Sequence, residues 1–292
     1  MNIDNQIVLF TIALSMTEIG LGSLLHSFKI PFSGHALSLN QAFLLSVLNI
    51  RLRNTDRLAS IEVSTATAIL KSLSPAGKKL TPMLAISAQG FLHNIGILLI
   101  GRNFIGIALA NALCSLWAFI QPWFIYYILY SKDLIAMGEY FIKKLAPIAE
   151  ISIFDIGIAV GIFVFIKILI SLGITVLAFK IKEDKLDAYI SYLLKQKPKT
   201  PNPSTSIVKG VMKDITSPLF IFSFLLMSSF YFLTGTNAAI IFWKILRPLA
   251  LAIIIFTFLR IIPMQGLIAK IDKLGLKRLS QILKQVLDKI NN

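Results

Sequence analysis

The sequence predicts an all-α integral membrane protein, and three observations predict it. Hydrophobic residues make up 56% of the 292 residues and charged residues only 15%, with a mean hydropathy of +0.77. The apolar residues fall in long blocks, many of bilayer-crossing length, rather than in short alternating runs. The basic residues behind the formal net charge of +15 concentrate in particular connections between those blocks. The two long polar stretches, 180–213 and 264–292, are too short to bury a core of their own, so no water-soluble domain is expected.

The candidate spans number eight: 7–28, 36–50, 58–73, 80–100, 104–130, 151–179, 215–234 and 238–262. The first opens with "MNIDNQ", which has an aspartate and no basic residue, so a retained span is expected rather than a cleaved signal peptide. The second and third are short against the roughly 20 residues a crossing needs, which leaves a re-entrant pair open. Removing both does not alter the orientation of the later spans. With the N-terminus inside, nineteen Lys and Arg residues fall in inner loops and seven in outer ones. The bias predicts a multi-pass protein of the cytoplasmic (inner) membrane with both termini cytoplasmic. Topology and attraction to anionic membrane lipid account for the charge, and no nucleic-acid module is present, so nucleic-acid binding is not expected.

Composition shifts abruptly at "KIKEDKLDAYISYLLKQKPKTPNPSTSIVKG", a lysine-rich run with prolines, serines and threonines. The expected domains are a six-span bundle over 1–180, a basic cytoplasmic linker over 181–214, a transmembrane hairpin over 215–263 and a basic amphipathic helix over 264–292. In the last segment Ile268, Ile271, Leu274, Ile282, Val286 and Ile290 recur at helical spacing. Lying on the inner leaflet is the default expectation for that helix, and docking onto a partner the alternative.

The phosphate-cradling, zincin and nucleophile-elbow signatures are absent, so no enzyme activity, catalytic residue or cofactor is expected. "FSGH" puts Ser33 two residues from His35, but side chains so close along a loop rarely meet in dyad geometry. His26, His35 and His93 lack i, i+4 pairing and nearby carboxylates, so they read as hydrogen-bonded histidines rather than metal ligands. The lone Cys114 excludes an internal disulfide and reads as a packing residue.

Polar side chains at membrane depth are costly and face a cavity or another helix. With the predicted topology, Gln89 falls near mid-membrane, while Trp117, Gln121, Asp155 and the loop around His35 fall in the outer half, where an externally loaded ligand would sit. Interhelical bonding is an equal reading for Gln89 and Gln121. Trp123, Tyr126, Tyr127 and Tyr130 also suit an interfacial aromatic belt. In the first span, Ala13 and Thr17 lie four apart beneath Gly20 and Gly22, a surface for close helix contact with this chain or a partner. Glu18 beside them must be buried against a cation or protonated.

Six spans in about 180 residues, the small residues of "TIALSMTEIGLGSLLHSF", the polar loop "SFKIPFSGHALSLNQ" and the stretch "SLSPAGKKLTPMLAISAQGFL" resemble the substrate-binding S-components of energy-coupling factor transporters, over residues 7–179. The resemblance implies a six-helix S-component-like bundle that captures a vitamin-like micronutrient for uptake. It implies a separate transmembrane coupling subunit and ATPase subunits as partners. The loop between spans one and two would be a lid shaped by Pro31 and Gly34, with His35, Asn40 and Gln41 turned to the ligand. Ala13 and Thr17 would form the coupling stripe, with Thr17 where the family has alanine. The C-terminal hairpin and tail lie outside the resemblance. A structural or assembly membrane protein without a ligand, and a self-contained secondary transporter, are the alternatives.

Overall fold

The computed structural model describes residues 3–22, 33–52, 56–71, 80–149, 153–195, 207–216, 218–235, 237–261 and 264–291. Every regular element among them is helical. Helix α1 (Ile3–Met16) runs into a π-helical turn (Thr17–Leu21). It is followed by α2 (Ser33–Leu52), α3 (Ala59–Leu70), α4 (Leu80–Ile100), α5 (Phe104–Tyr130), α6 (Lys132–Ala149) and α7 (Ile153–Lys180). Then come α8 (Glu183–Lys195), α9 (Ile207–Ile215), α10 (Pro218–Leu233), α11 (Ala238–Ile261), α12 (Met264–Lys273) and α13 (Lys277–Asn291). Three stretches, Thr81–Ile100, Phe104–Tyr130 and Gly157–Lys180, are long and apolar enough to cross a membrane. Along the last of these, Ile162, Phe165, Leu169, Val176 and Leu177 stand exposed. Such a face is solvated well by lipid and poorly by water.

The chain divides into two compact units: Met1–Phe119 with Ile166–Asn202 and Pro263–Asn292, and Ile120–Phe165 with Pro203–Ile262. These boundaries are not the four segments read from composition. The C-terminal tail joins the first unit, and the C-terminal part of α5 and the N-terminal part of α7 join the hairpin.

In the first unit α1 is central, with Ile7, Phe10, Ile12 and Leu14 almost wholly buried. It packs on α2, α3, α8 and α13. Ala13 and Thr17 are buried as well, and the Thr17 hydroxyl donates to the Ala13 carbonyl at 3.0 Å. The small-residue stripe expected to couple to a partner therefore lies against the chain's own helices, because α1 is covered on every side.

The stretch expected as a linker carries α8 and α9. Leu186 and Ile190, one turn apart, bury into the core that surrounds α1. Their lysine-rich surroundings hide this two-residue apolar stripe in an average over composition.

The tail is two helices rather than one. Gly275 adopts φ of +82°, and Leu276 N–H donates to the Ile271 carbonyl while Gly275 N–H donates to that of Asp272. This pattern ends α12 in a left-handed glycine cap. After it, α13 turns Ile282, Leu283 and Val286 into the core around α1. The tail's apolar face thus covers its own bundle, and the leaflet-lying default does not hold for these residues. Arg278 fixes the docking by pairing with Asp4 (3.1 Å), Glu62 (3.2 Å) and Asp56. Because Arg278 is part-exposed, each pair contributes modestly. Arg278→Met should therefore cost about 1–2 kcal/mol and selectively speed amide hydrogen exchange in 277–291. Unchanged exchange there would show that apolar packing alone holds α13.

Helices α3 and α4 approach closely at Gly90, where an added Cβ would lie 2.8 Å from the Ser60 carbonyl oxygen. Helices α4 and α5 do the same at Gly96, where it would lie 2.5 Å from Ala110 Cα. Glu18 is buried against Lys71, with Nζ 3.6 Å from Oε2. Of the two expectations for Glu18, a cation partner or protonation, Lys71 supplies the cation, although the charge count places Lys71 in an outer loop.

The second unit buries Tyr130, Leu134, Met227, Phe230, Tyr231 and Ile241 together. Tyr130 is therefore a core residue and not part of an aromatic belt, whereas Trp123 is 68% exposed. Helix α6 is not among the expected elements. Leu134, Met137 and Phe141 at helical spacing are the signal for it, and all three join this core. Lys244, within the apolar block 238–262, donates to Asp133 Oδ1 at 2.9 Å, and Tyr231 donates to Asp133 Oδ2 at 2.8 Å.

Candidate ligand site

The polar residues inside the first unit fall into two sets that differ in how their hydrogen bonds are used. The first set is a chain crossing α2, α3, α4, α5 and α7. Arg102 Nε donates to Asn49 Oδ1 at 3.1 Å, and Asn49 Nδ2 donates to Ser60 Oγ at 2.8 Å. Ser60 Oγ lies 3.0 Å from His93 Nδ1, and His93 Nε2 lies 3.5 Å from Ser46 Oγ. Ser46 Oγ lies 2.7 Å from the Ala42 carbonyl and 3.0 Å from Asn111 Oδ1, two oxygens that share its one proton, and Asn111 Nδ2 donates to Thr175 Oγ1 at 2.9 Å. Thr175 in turn donates to the Ser171 carbonyl at 3.0 Å.

Donor counting then assigns the histidine. Ser46 has one proton and directs it at an oxygen, so His93 Nε2–H must be the donor between them, and Nδ1 accepts from Ser60. His93 is a neutral, fully buried link between Ser60 on α3 and Ser46 on α2. Gln41 behaves alike: its Nε2 donates to Ser64 Oγ at 3.1 Å and to the Ile86 carbonyl at 2.8 Å. These groups bond helix to helix, and Gln41, expected to turn to the ligand, has its amide nitrogen engaged between α3 and α4. At the base of the chain, partial burial draws the Arg102 pKa below the usual arginine value while Asp56 acts in the opposite sense, and the guanidinium stays charged.

The second set is different. Lys167, on α7, is 7% exposed and hydrogen-bonds His35 Nδ1. Its Nζ also stands 5.3 Å from the centroid of the Phe119 ring, and the His35 ring lies 5.4 Å from the same centroid. Donation by the ammonium requires an unprotonated Nδ1, which leaves the ring proton of a neutral His35 on Nε2. On α2, below His35, Ser38 Oγ and Asn40 Nδ2 are buried with no hydrogen-bond partner. Those two atoms, unlike the Lys167–His35 pair, are buried groups that a hydrogen-bonding solute would complete.

The other residues expected at the site are more scattered. His35, Asn40 and Gln41 all lie on α2, which begins at Ser33, so the polar stretch is helical from that residue and not a loop. Gly34 is exposed in the first turn of that helix. Pro31, with His26, lies outside the described residues, and so does the segment of the expected lid before Ser33. Gln89 is buried, and its carbonyl accepts from Cys114 Sγ at 3.1 Å. Trp117 is part-buried on α5 in the first unit, whereas Gln121, buried, and Asp155, exposed, belong to the second. Lys167 is a candidate residue that the sequence analysis did not single out. Its signal is that it is the sole charged residue between Asp155 and Lys180. Among the described residues, no group of three or more His, Cys, Asp or Glu side chains is placed to hold a metal.

No protein-family model matches the chain, no curated protein matches it, and no solved structure matches it.

Proposed function

We propose that the chain is a membrane-embedded, non-enzymatic subunit that captures a small organic micronutrient for uptake, with separate transmembrane and ATPase subunits supplying the drive. The observation that carries this reading is the pair of buried polar atoms on α2, Ser38 Oγ and Asn40 Nδ2, which have no hydrogen-bond partner. Such groups are expensive inside an apolar bundle unless something completes them. The sequence resemblance to S-components supports the same reading. Gln89 and Trp117, in the same unit, are further proposed contacts.

A second reading, a structural or assembly protein without a ligand, is favoured by the hydrogen-bonded chain from Arg102 to Thr175, because its members satisfy one another. Native mass spectrometry of gently purified protein separates the two. A retained small molecule that is lost in Asn40→Leu supports capture. An empty protein whose deletion leaves nutrient uptake unchanged supports the structural reading.

The orientation proposed with this function places both termini in the cytoplasm, on the charge bias. The pairing of Arg51 with Asp187 and of Arg278 with Asp4 and Asp56 gathers charged helix ends at one end of the first unit, which fits that arrangement. Reporter fusions at Asn292 and after Lys132 are expected to give cytoplasmic and external signals respectively. The reverse pattern would overturn the orientation.

A further inference from the structure

We infer that Lys167, flanked by His35 and Phe119, is the anchor for a single carboxylate on the captured molecule. The inference rests on the capture reading and names the substrate class of the same site. A buried ammonium normally faces a carboxylate, since a lone charge loses its hydration without compensation. The chain supplies that compensation elsewhere: Lys71 has Glu18, Lys244 has Asp133, and Arg278 has three acids. Among the described residues, no carboxylate lies within ion-pair distance of Lys167.

The sequence explains why. Residues 19–55, 63–132 and 156–182 contain no aspartate or glutamate, and these segments supply α2, α4, α5 and nearly all of α7. The connections 23–32 and 72–79 carry Lys29, Lys78 and Lys79 and likewise no acid. Helices that carry no acid leave the buried ammonium without a counter-ion of the chain's own, so an anion from outside is the charge that matches it. One ammonium beside a neutral histidine balances one negative charge, so a monoanion fits and a phosphate dianion would leave charge uncompensated. The Phe119 ring, 5.3 Å from Nζ, adds an apolar surface for the carbon skeleton next to the carboxylate.

The test uses the purified full chain in dodecyl maltoside micelles and a carboxylate-free buffer. Benzoate is the probe, benzamide its uncharged counterpart and inorganic phosphate the dianion. Benzoate at about 50 mM is expected to raise Tm by about 2–4 °C, with little shift from benzamide or phosphate. Lys167→Met should abolish the benzoate shift and raise the Tm of the probe-free protein, because it removes the uncompensated charge at similar side-chain length. Lys167→Arg should keep the benzoate shift. Equal shifts from benzoate and benzamide in the unaltered chain overturn the inference whatever the variants do. A benzoate shift that survives Lys167→Met, or a larger shift from phosphate, also overturns it. An uncharged molecule retained equally by the unaltered chain and by Lys167→Met would overturn the carboxylate anchor and leave the capture reading standing. No retained molecule and no benzoate shift would remove both.

Discussion

Lys71→Met is expected to destabilise the protein by about 3–5 kcal/mol, the cost of leaving one half of a buried ion pair behind. Lys71 and Glu18 are 1% and 3% exposed, and the ammonium also hydrogen-bonds the Glu18 carbonyl. Without it, the Glu18 carboxylate has no counter-charge and must take up a proton or draw in water. The pair as a unit contributes far less, because both charges were desolvated to form it. Glu18→Met combined with Lys71→Met should therefore recover most of the loss. Denaturant unfolding in micelles measures both. A double variant as unstable as the sum of the singles would show that the two charges are not coupled. The pair matters to the fold because it ties the π-helical turn after α1 to the end of α3, residues 53 apart in the chain.

Gly96→Leu should be comparably damaging for the opposite reason, excess volume. A Cβ there meets the Ala110 backbone, so α4 and α5 must separate before any side chain fits. Overpacking of this kind costs about 1–3 kcal/mol, and a bulky residue at a helix crossing reaches the upper end. The expected consequence reaches beyond stability: separating α4 from α5 breaks the link from His93 through Ser46 to Asn111 that also holds α7. Gly157→Ala is the control, since nothing lies within 4 Å of its Cβ position. It should be neutral or raise Tm slightly, as alanine favours a helix over glycine. Equal tolerance at both positions would mean that α4 and α5 are not in contact at Gly96.

Much of the helical layout was legible in the sequence. The blocks at 80–100 and 104–130 match α4 and α5 end to end, and those at 36–50, 58–73, 151–179, 215–234 and 238–262 match within a few residues. The amphipathic helices were less legible: α6 and α8 have apolar stripes too short or too diluted by lysines to stand out. Of the candidate site, His35 and Asn40 were reached by asking which polar groups sit among apolar neighbours. Gln41 was reached by the same question, yet its amide bonds α3 and α4. Lys167 was not singled out because one cation in a long apolar helix looks the same whether it faces a carboxylate, water or a ligand.

The sequence by itself determined where helices of spanning length lie and that few acids accompany many bases. Both are sums over neighbouring residues, and the cost of burying backbone in an apolar block forces it to be helical whatever surrounds it. Tertiary structure alone decided which face of each helix turns inward and at what height it meets its neighbours. In helices apolar on every side, such as α4, α5 and α7, no stripe marks an inner face, so rotation and register follow from long-range fits. Gly96 against Ala110, Asn111 reaching Thr175, and Lys167 meeting His35 across 132 residues are such fits. Each depends on the simultaneous placement of two helices, and no local pattern encodes that placement.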